Sequence, residues 1–150
     1  MAHSKSKNWI HLIFSTKNRE SLITQEAEPF IYGQLRDQLI QMNCPVDTIN
    51  GISDHIHLLF LLHPQKALSE VVKQLKGASS HSINQSDILS IKFAWGVGYA
   101  AYSVSESGVP AVRKYIQNQK EHHRKRSFEE EYQSFLKLHG LDRDNGDENG

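Results

Sequence analysis

The sequence predicts an α+β fold: an antiparallel sheet built in the order β-α-β-β-α-β, with one extra strand and helices at its C-terminal end. Three observations carry this. Short apolar, partly β-branched runs alternate with segments of helical periodicity. Two of those runs, Val46 to Ile52 and His55 to Leu62, follow one another directly and so should pair as neighbours. No internal repeat breaks the order.

Each element has its own signal. Trp9 to Phe14 is an apolar run closed by the polar Ser15-Thr16-Lys17-Asn18, and it reads as a first strand. Thr24 offers an N-cap oxygen, Glu26 and Glu28 place acids in the first turn, and Phe30, Ile31, Leu35, Leu39 and Met42 recur at helical spacing. A helix is therefore expected over about 24–42. Cys44-Pro45 ends it, because the residue before a proline is pushed out of the helical region. The strands at 46–52 and 55–62 come next, the second closed by His63-Pro64. Leu68, Val71, Val72, Leu75 and Ile83 mark a second helix from about Ala67. Ile91 to Trp95 and Tyr99 to Val104 give two more extended segments around Gly96 and Gly98. Pro110 suits the first turn of a third helix, expected from Val109 to Lys125, and Phe128 to Leu138 reads as a fourth. The order is that of ferredoxin-like sheets, with two helices on one face.

A chain of 150 residues falls in the size range of one domain and can bury a core without staples. We take residues 1–140 as that domain and 141–150 as an acidic tail, expected to be disordered. Hydrophobic residues make up 38% and charged residues 23%, as in soluble globular proteins, and no apolar run approaches the roughly 20 residues that span a bilayer. Met1 to Lys7 is polar and lacks the apolar stretch of a signal peptide, so the cytoplasm is the expected compartment. The single Cys44 cannot close an intrachain disulfide and reads as a small buried hydrophobe. Net charge is zero, yet the charges are segregated. Residues 111–126 carry Arg113, Lys114, Lys120, Arg124, Lys125 and Arg126 against Glu121 alone, a basic segment able to face phosphates or simply to form a solvated helix face.

In an extended strand His55 and His57 project to one side, and Ile56, Leu58, Phe60 and Leu62 to the other. Two imidazoles can thus share one cation. The odd face continues as Leu59 and Leu61, so both faces are apolar, as in an interior strand covered on each side. With the two crossover helices on the opposite face, the C-terminal helices are left to cover the histidines. The helix from Val109 carries Val112, Tyr115, Ile116, Gln119 and His122 as one stripe. If that stripe meets the histidine face, the carboxamide oxygen of Gln119 can be a third ligand, with Tyr115 beside the metal. Two neutral nitrogens and an amide oxygen leave the cation's charge unneutralised, which favours an anion such as a phosphate and suits Mg²⁺ or Mn²⁺. A lone His-x-His is a weak signal and a tyrosine in an amphipathic helix is usually core. Their conjunction counts, because chemistry on a phosphodiester needs a Lewis acid and an aligned nucleophile.

Two other classes compete. Ferredoxin-like sheets also bind RNA without catalysis, through exposed strand aromatics. The segment HIHLLFLL offers buried aliphatics and paired imidazoles instead. A zinc hydrolase would need further ligands, but positions 59 and 60 are Leu and Phe, so a His-x-His-x-Asp-His pattern fails.

An ordered set of residues resembles a known family. It comprises Phe14-Ser15-Thr16-Lys17-Asn18-Arg19, Asp54-His55-Ile56-His57-Leu58-Leu59 and Leu75-Lys76-Gly77-Ala78-Ser79-Ser80. From Phe93 onward come Trp95, Gly98-Tyr99, Ser103-Val104-Ser105, Tyr115-Ile116-Gln117-Asn118-Gln119, His122-His123, Phe128 and Glu131. Over nearly its whole length the chain resembles the single-tyrosine HUH transposases (histidine, hydrophobe, histidine) of small insertion sequences that move as single-stranded DNA, often called TnpA-like. Gly96-Val97 departs from the pattern, which has a glutamine after the tryptophan. The resemblance implies that Tyr115 is the nucleophile and that His55, His57 and Gln119 hold Mg²⁺ or Mn²⁺. It also implies single-stranded DNA hairpins as partners, a 5′-phosphotyrosine intermediate with a free 3′-hydroxyl, and a homodimer that in some members shares its active sites between subunits. A host-domesticated tyrosine transposase acting on chromosomal palindromes would share this chemistry and differ in target. Lys73, Lys76, Arg113 and Lys114 are the expected DNA contacts, while His122 and His123 could touch phosphate or cap a helix C-terminus.

Overall fold

A computed structural model of the chain describes residues 5–121 and 128–140. Strands β1 (Trp9–Ser15), β2 (Val46–Ile52), β3 (His55–Leu61) and β4 (Ala100–Val104) form one antiparallel sheet in the spatial order β2-β3-β1-β4. Helices α1 (Glu28–Gln41) and α2 (Leu68–Ser86) are the crossovers, and α3 (Val109–Gln117) and α4 (Phe128–Leu138) follow the last strand. The expected ferredoxin-like order is therefore realised, with β1 and β3 in the middle.

Alternation along the central strands builds two cores. Ile10, Leu12 and Phe14 of β1 and Ile56, Leu58 and Phe60 of β3 pack against Ile31, Leu35 and Leu39 of α1 and Val71, Val72 and Leu75 of α2. Each fully buried side chain of this kind contributes roughly 1.5–3 kcal/mol, so this larger cluster carries most of the stability. On the other face Leu59 joins Val104, Val109, Val112, Tyr115 and Ile116, with Trp9, Phe135 and Leu138 packed partly against them. β3 is thus covered on both sides, and six of its seven residues are buried. The C-terminal helices cover the histidine face, as the pattern of the strand required.

Three expectations shift. The first helix begins at Glu28 rather than Thr24, because Thr24 caps a preceding turn: its Oγ1 accepts from the Ala27 N–H at 3.1 Å. Pro29 then occupies the first helical turn, where its missing N–H costs nothing. The extra strand at Ile91 to Trp95 does not form; there is only an isolated bridge from Trp95 to Thr16. The Asn84 side chain replaces a neighbouring strand there, donating to the Phe93 carbonyl at 2.9 Å and accepting from its N–H at 2.8 Å. The third helix stops at Gln117 instead of running to Lys125, with a turn at Asn118 and helix again at 119–121. Its last carbonyls, of Ile116 and Gln117, are taken by the Asn50 side chain at 3.0 and 3.1 Å, which competes with continuation of the helix. His122, His123, the basic residues Arg124 to Arg126 and the tail 141–150 lie outside the described residues, as do the side chains of Phe128 and Glu131. Among the described residues no helix is long and apolar enough to cross a membrane.

Candidate active site

The site is assembled on the face of the smaller cluster. His55 and His57 project there from β3, 8% and 3% exposed, with ring centroids 5.3 Å apart. A two-residue turn, Ser53-Asp54, joins β2 to β3, and Gly51 lies so close to it that a Cβ would stand 2.2 Å from the His55 carbonyl oxygen. Only glycine fits this approach. The turn is tied to the end of β1 by the Thr16 N–H, which donates to the Asp54 carbonyl at 2.9 Å. Asp54 in turn reaches His55: its Oδ1 lies 2.9 Å from His55 Nδ1, and Arg19 Nε lies 3.5 Å from Oδ2.

Tyr115 sits on α3 with its ring edge-on to His57, 5.7 Å between centroids. It is 8% exposed. The helix is pinned by polar contacts at its middle and just past its C-terminal end. Arg113 grips Asp47 of β2 with Nε and Nη2 at 2.8 and 2.7 Å, and this guanidinium holds the Asp47 carboxyl below its ordinary range. Just past the C-terminal end of α3, Lys120 joins Glu28 of α1 at 3.0 Å and the Asn50 Oδ1 at 2.7 Å. Asn50 faces His57 directly across the β2-β3 ladder, so the residue that ends α3 stands next to the histidine pair.

Gln119, just beyond the break in α3, is fully buried, and neither atom of its carboxamide has a hydrogen-bond partner among the described residues. An amide left in this state costs about 1–3 kcal/mol, so it suits a group that something else satisfies. A divalent cation is one such group: His55 and His57 offer imidazole nitrogens on the face that α3 covers, and Gln119 follows directly after that helix. Beside the site opens a cavity of about 400 Å³, lined among others by Arg19, His55, His57, Tyr99, Tyr102 and Tyr115.

The expected DNA contacts divide into two pairs. Lys73 on α2 and Lys114 on α3 are exposed. Arg113 is committed to Asp47, and the Lys76 ammonium donates to the carbonyls of Gly96 and Gly98 at 2.6 and 2.9 Å, holding the loop that lines the cavity. Sequence reasoning gave no role to three residues now found here. Arg19 lines the cavity with φ of 54° beside Asn18 at 57°, two left-handed residues in succession after β1. His11 and His139 form a chain to the site. His11 Nε2 lies 2.9 Å from His57 Nδ1, and His11 Nδ1 lies 2.7 Å from His139 Nε2. Burial, with His139 alongside, pushes the His11 imidazole down to about 3, and burial pushes His139 down to about 4. The signal for His11 was available in its odd position on β1, whose register sets it diagonally across from His57. That for His139 lay only in the packing of α4.

An antiparallel ferredoxin-like sheet that turns a His-x-His strand toward a tyrosine-bearing helix defines the class of HUH tyrosine transposases. The chain belongs to the IS200-like transposase family, whose description, Transposase IS200 like, matches residues 4–119. The ISDra2 transposase TnpA of Deinococcus radiodurans is 32% identical over 114 residues, which is 73% of this chain and 81% of that protein. Among solved structures, a crystal structure from D. radiodurans R1, designated a transposase, is similar with a TM-score of 0.64 and 28% identity over 79% of this chain and 98% of that one. A REP-associated tyrosine transposase bound to a REP hairpin shares the fold, with a TM-score of 0.60 and 12% identity over 82% of this chain and 74% of that one.

Proposed function

We propose that the chain cleaves and rejoins single-stranded DNA at hairpin-bearing element ends, with Tyr115 as nucleophile and a phosphotyrosine as intermediate. The observation that carries this reading is the seating of Tyr115 edge-on to His57, 5.7 Å between rings, on a helix docked to the same sheet beside an open cavity. The phenolic oxygen attacks phosphorus and its proton is lost. The bond from phosphorus to the 3′-oxygen breaks, leaving a 3′-hydroxyl and a 5′-phosphate on Tyr115. Attack by another 3′-hydroxyl reverses the exchange and returns the phenol, so one phosphodiester is traded for another without nucleotide hydrolysis.

His55, His57 and Gln119 are the residues that would hold Mg²⁺ or Mn²⁺. Bound there, the ion would polarise a nonbridging phosphate oxygen and offset charge developing at phosphorus. A phenol titrates near pH 10 in water, so Tyr115 needs a positive neighbour to react at neutral pH. Arg19, on the rim of the cavity, supplies a guanidinium for the DNA backbone, and exposed Lys73 and Lys114 extend the basic surface. Hairpin recognition is supported by the shared fold with the REP-associated transposase bound to its hairpin. A host-domesticated enzyme would use the same site on chromosomal palindromes. A noncatalytic RNA-binding role is disfavoured, because β3 is buried on both faces and offers no exposed aromatic platform.

The test is covalent capture on a single-stranded hairpin oligonucleotide. The expected result is an adduct that peptide mapping places on Tyr115, lost in Tyr115→Phe and on chelation while circular dichroism stays unchanged. An adduct formed by the Phe variant, or mapped to another residue, removes Tyr115 from this role.

A further inference from the structure

We propose that His11 and His139 are positioning residues: they fix the tautomer and the ring orientation of His57, so that His57 presents Nε2 for coordination. The inference rests on the metal-site reading above and concerns residues to which that reading gives no part. It follows from hydrogen-bond accounting. Between two imidazoles a 2.9 Å N···N contact needs one donor and one acceptor, and a His57 that coordinates through Nε2 keeps its proton on Nδ1. His57 then donates to His11 Nε2. That obliges His11 to hold its own proton on Nδ1, from which it donates to His139 Nε2 at 2.7 Å. One choice at the cation propagates through two further rings.

The rings in this chain are held by packing as well as by hydrogen bonds. His11 is fully buried between β3 and α4, with the Phe135 ring edge-on at 5.9 Å. Tyr102 of β4 stacks on His139 with centroids 4.6 Å apart and planes 28° apart. His55 is held differently, by the Asp54 carboxylate at its Nδ1. Both members of the pair therefore have Nδ1 occupied by a partner, one by a carboxylate beside the cavity and the other by a buried imidazole. Partners of this kind typically alter metal affinity by about 10–100-fold when removed.

The experiment has two readouts on the full-length chain. Long-range ¹⁵N NMR of the metal-free protein reports the His57 tautomer, and Mn²⁺ titration followed by electron paramagnetic resonance reports affinity. His11→Phe, which removes the acceptor, is expected to move His57 away from the Nδ1–H form and to weaken Mn²⁺ binding by about tenfold or more. His11→Asn, whose carbonyl oxygen can accept from Nδ1, is expected to recover most of both. His139→Phe, at the half-buried end, should shift both in the same direction by less, and it serves if His11→Phe fails to fold. A purely structural role would lower the melting temperature without moving the tautomer, and a His57 tautomer unchanged in folded His11→Phe overturns the proposal. Should the parent protein bind no Mn²⁺ through His55 and His57, the metal reading fails, and the tautomer measurement still decides the positioning role.

Discussion

Among single residues, Gln119 is set apart by its complete burial. Its carboxamide is buried and meets no partner among the described residues, a state that folding alone disfavours. Gln119→Leu, similar in volume and free of polar atoms, should raise the stability of the metal-free protein by about 1–3 kcal/mol in chemical denaturation. The same change should lower Mn²⁺ affinity by about tenfold or more. If the Leu variant is less stable than its parent, the amide is satisfied in solution and the ligand assignment loses its physical basis. Gly51 acts in the opposite sense, as a residue whose lack of a side chain lets β2 pass the His55 carbonyl and so sets where the histidine strand begins.

At the level of elements, α3 is short and amphipathic, and its seat on the sheet is decided by polar anchors as much as by Val112 and Ile116. Asp47 holds its middle through Arg113, and Asn50 and Lys120 hold its C-terminal end and the residues just past it. Because Arg113 depresses the Asp47 pKa in the folded state, the contribution of this pair is fully present above the ordinary carboxylate value, about 4, and is lost as pH falls through the depressed value. Asp47→Asn should therefore lower the urea midpoint at pH 7, and its deficit relative to the parent should shrink as pH falls from about 4. A deficit that stays constant into acid would mean that the ion pair does not hold the helix. The broken third helix belongs here too: its sequence stripe continues through Gln119, and only Asn50 across the sheet shows why it turns at Asn118.

For the whole molecule the question is which chain supplies each half of the site. Tyr115 lies against His57 of its own chain, and three polar anchors keep its helix there. A mixture of Tyr115→Phe and His57→Ala proteins should accordingly form no covalent adduct on the hairpin substrate, since neither chain holds both groups. Adduct formation in the mixture would show that the tyrosine helix serves a partner subunit, and the intrachain seating would then be one state of two. The division into two cores supports the first outcome, because α3 and α4 close the histidine face with a core of their own.

By itself the sequence determined the strand order, the two crossover helices, the separation of faces along β3 and the pairing of His55 with His57 on one of them. These are local consequences of period and punctuation: alternation writes a face, helical spacing writes a stripe, and a proline or glycine writes an end. Helical spacing offered Tyr115 and Gln119 on one stripe for that face, and the structure sets Tyr115 edge-on to His57. Tertiary structure alone decided the rest. Ile91 to Trp95 has the composition of a strand, but Asn84 and the core around Phe14 claim its hydrogen bonds and its rings. His11 and His139 stand 128 positions apart and become neighbours only when α4 folds back over β1. Which buried imidazole touches which is a matter of register and helix docking, and no single stretch of sequence encodes either.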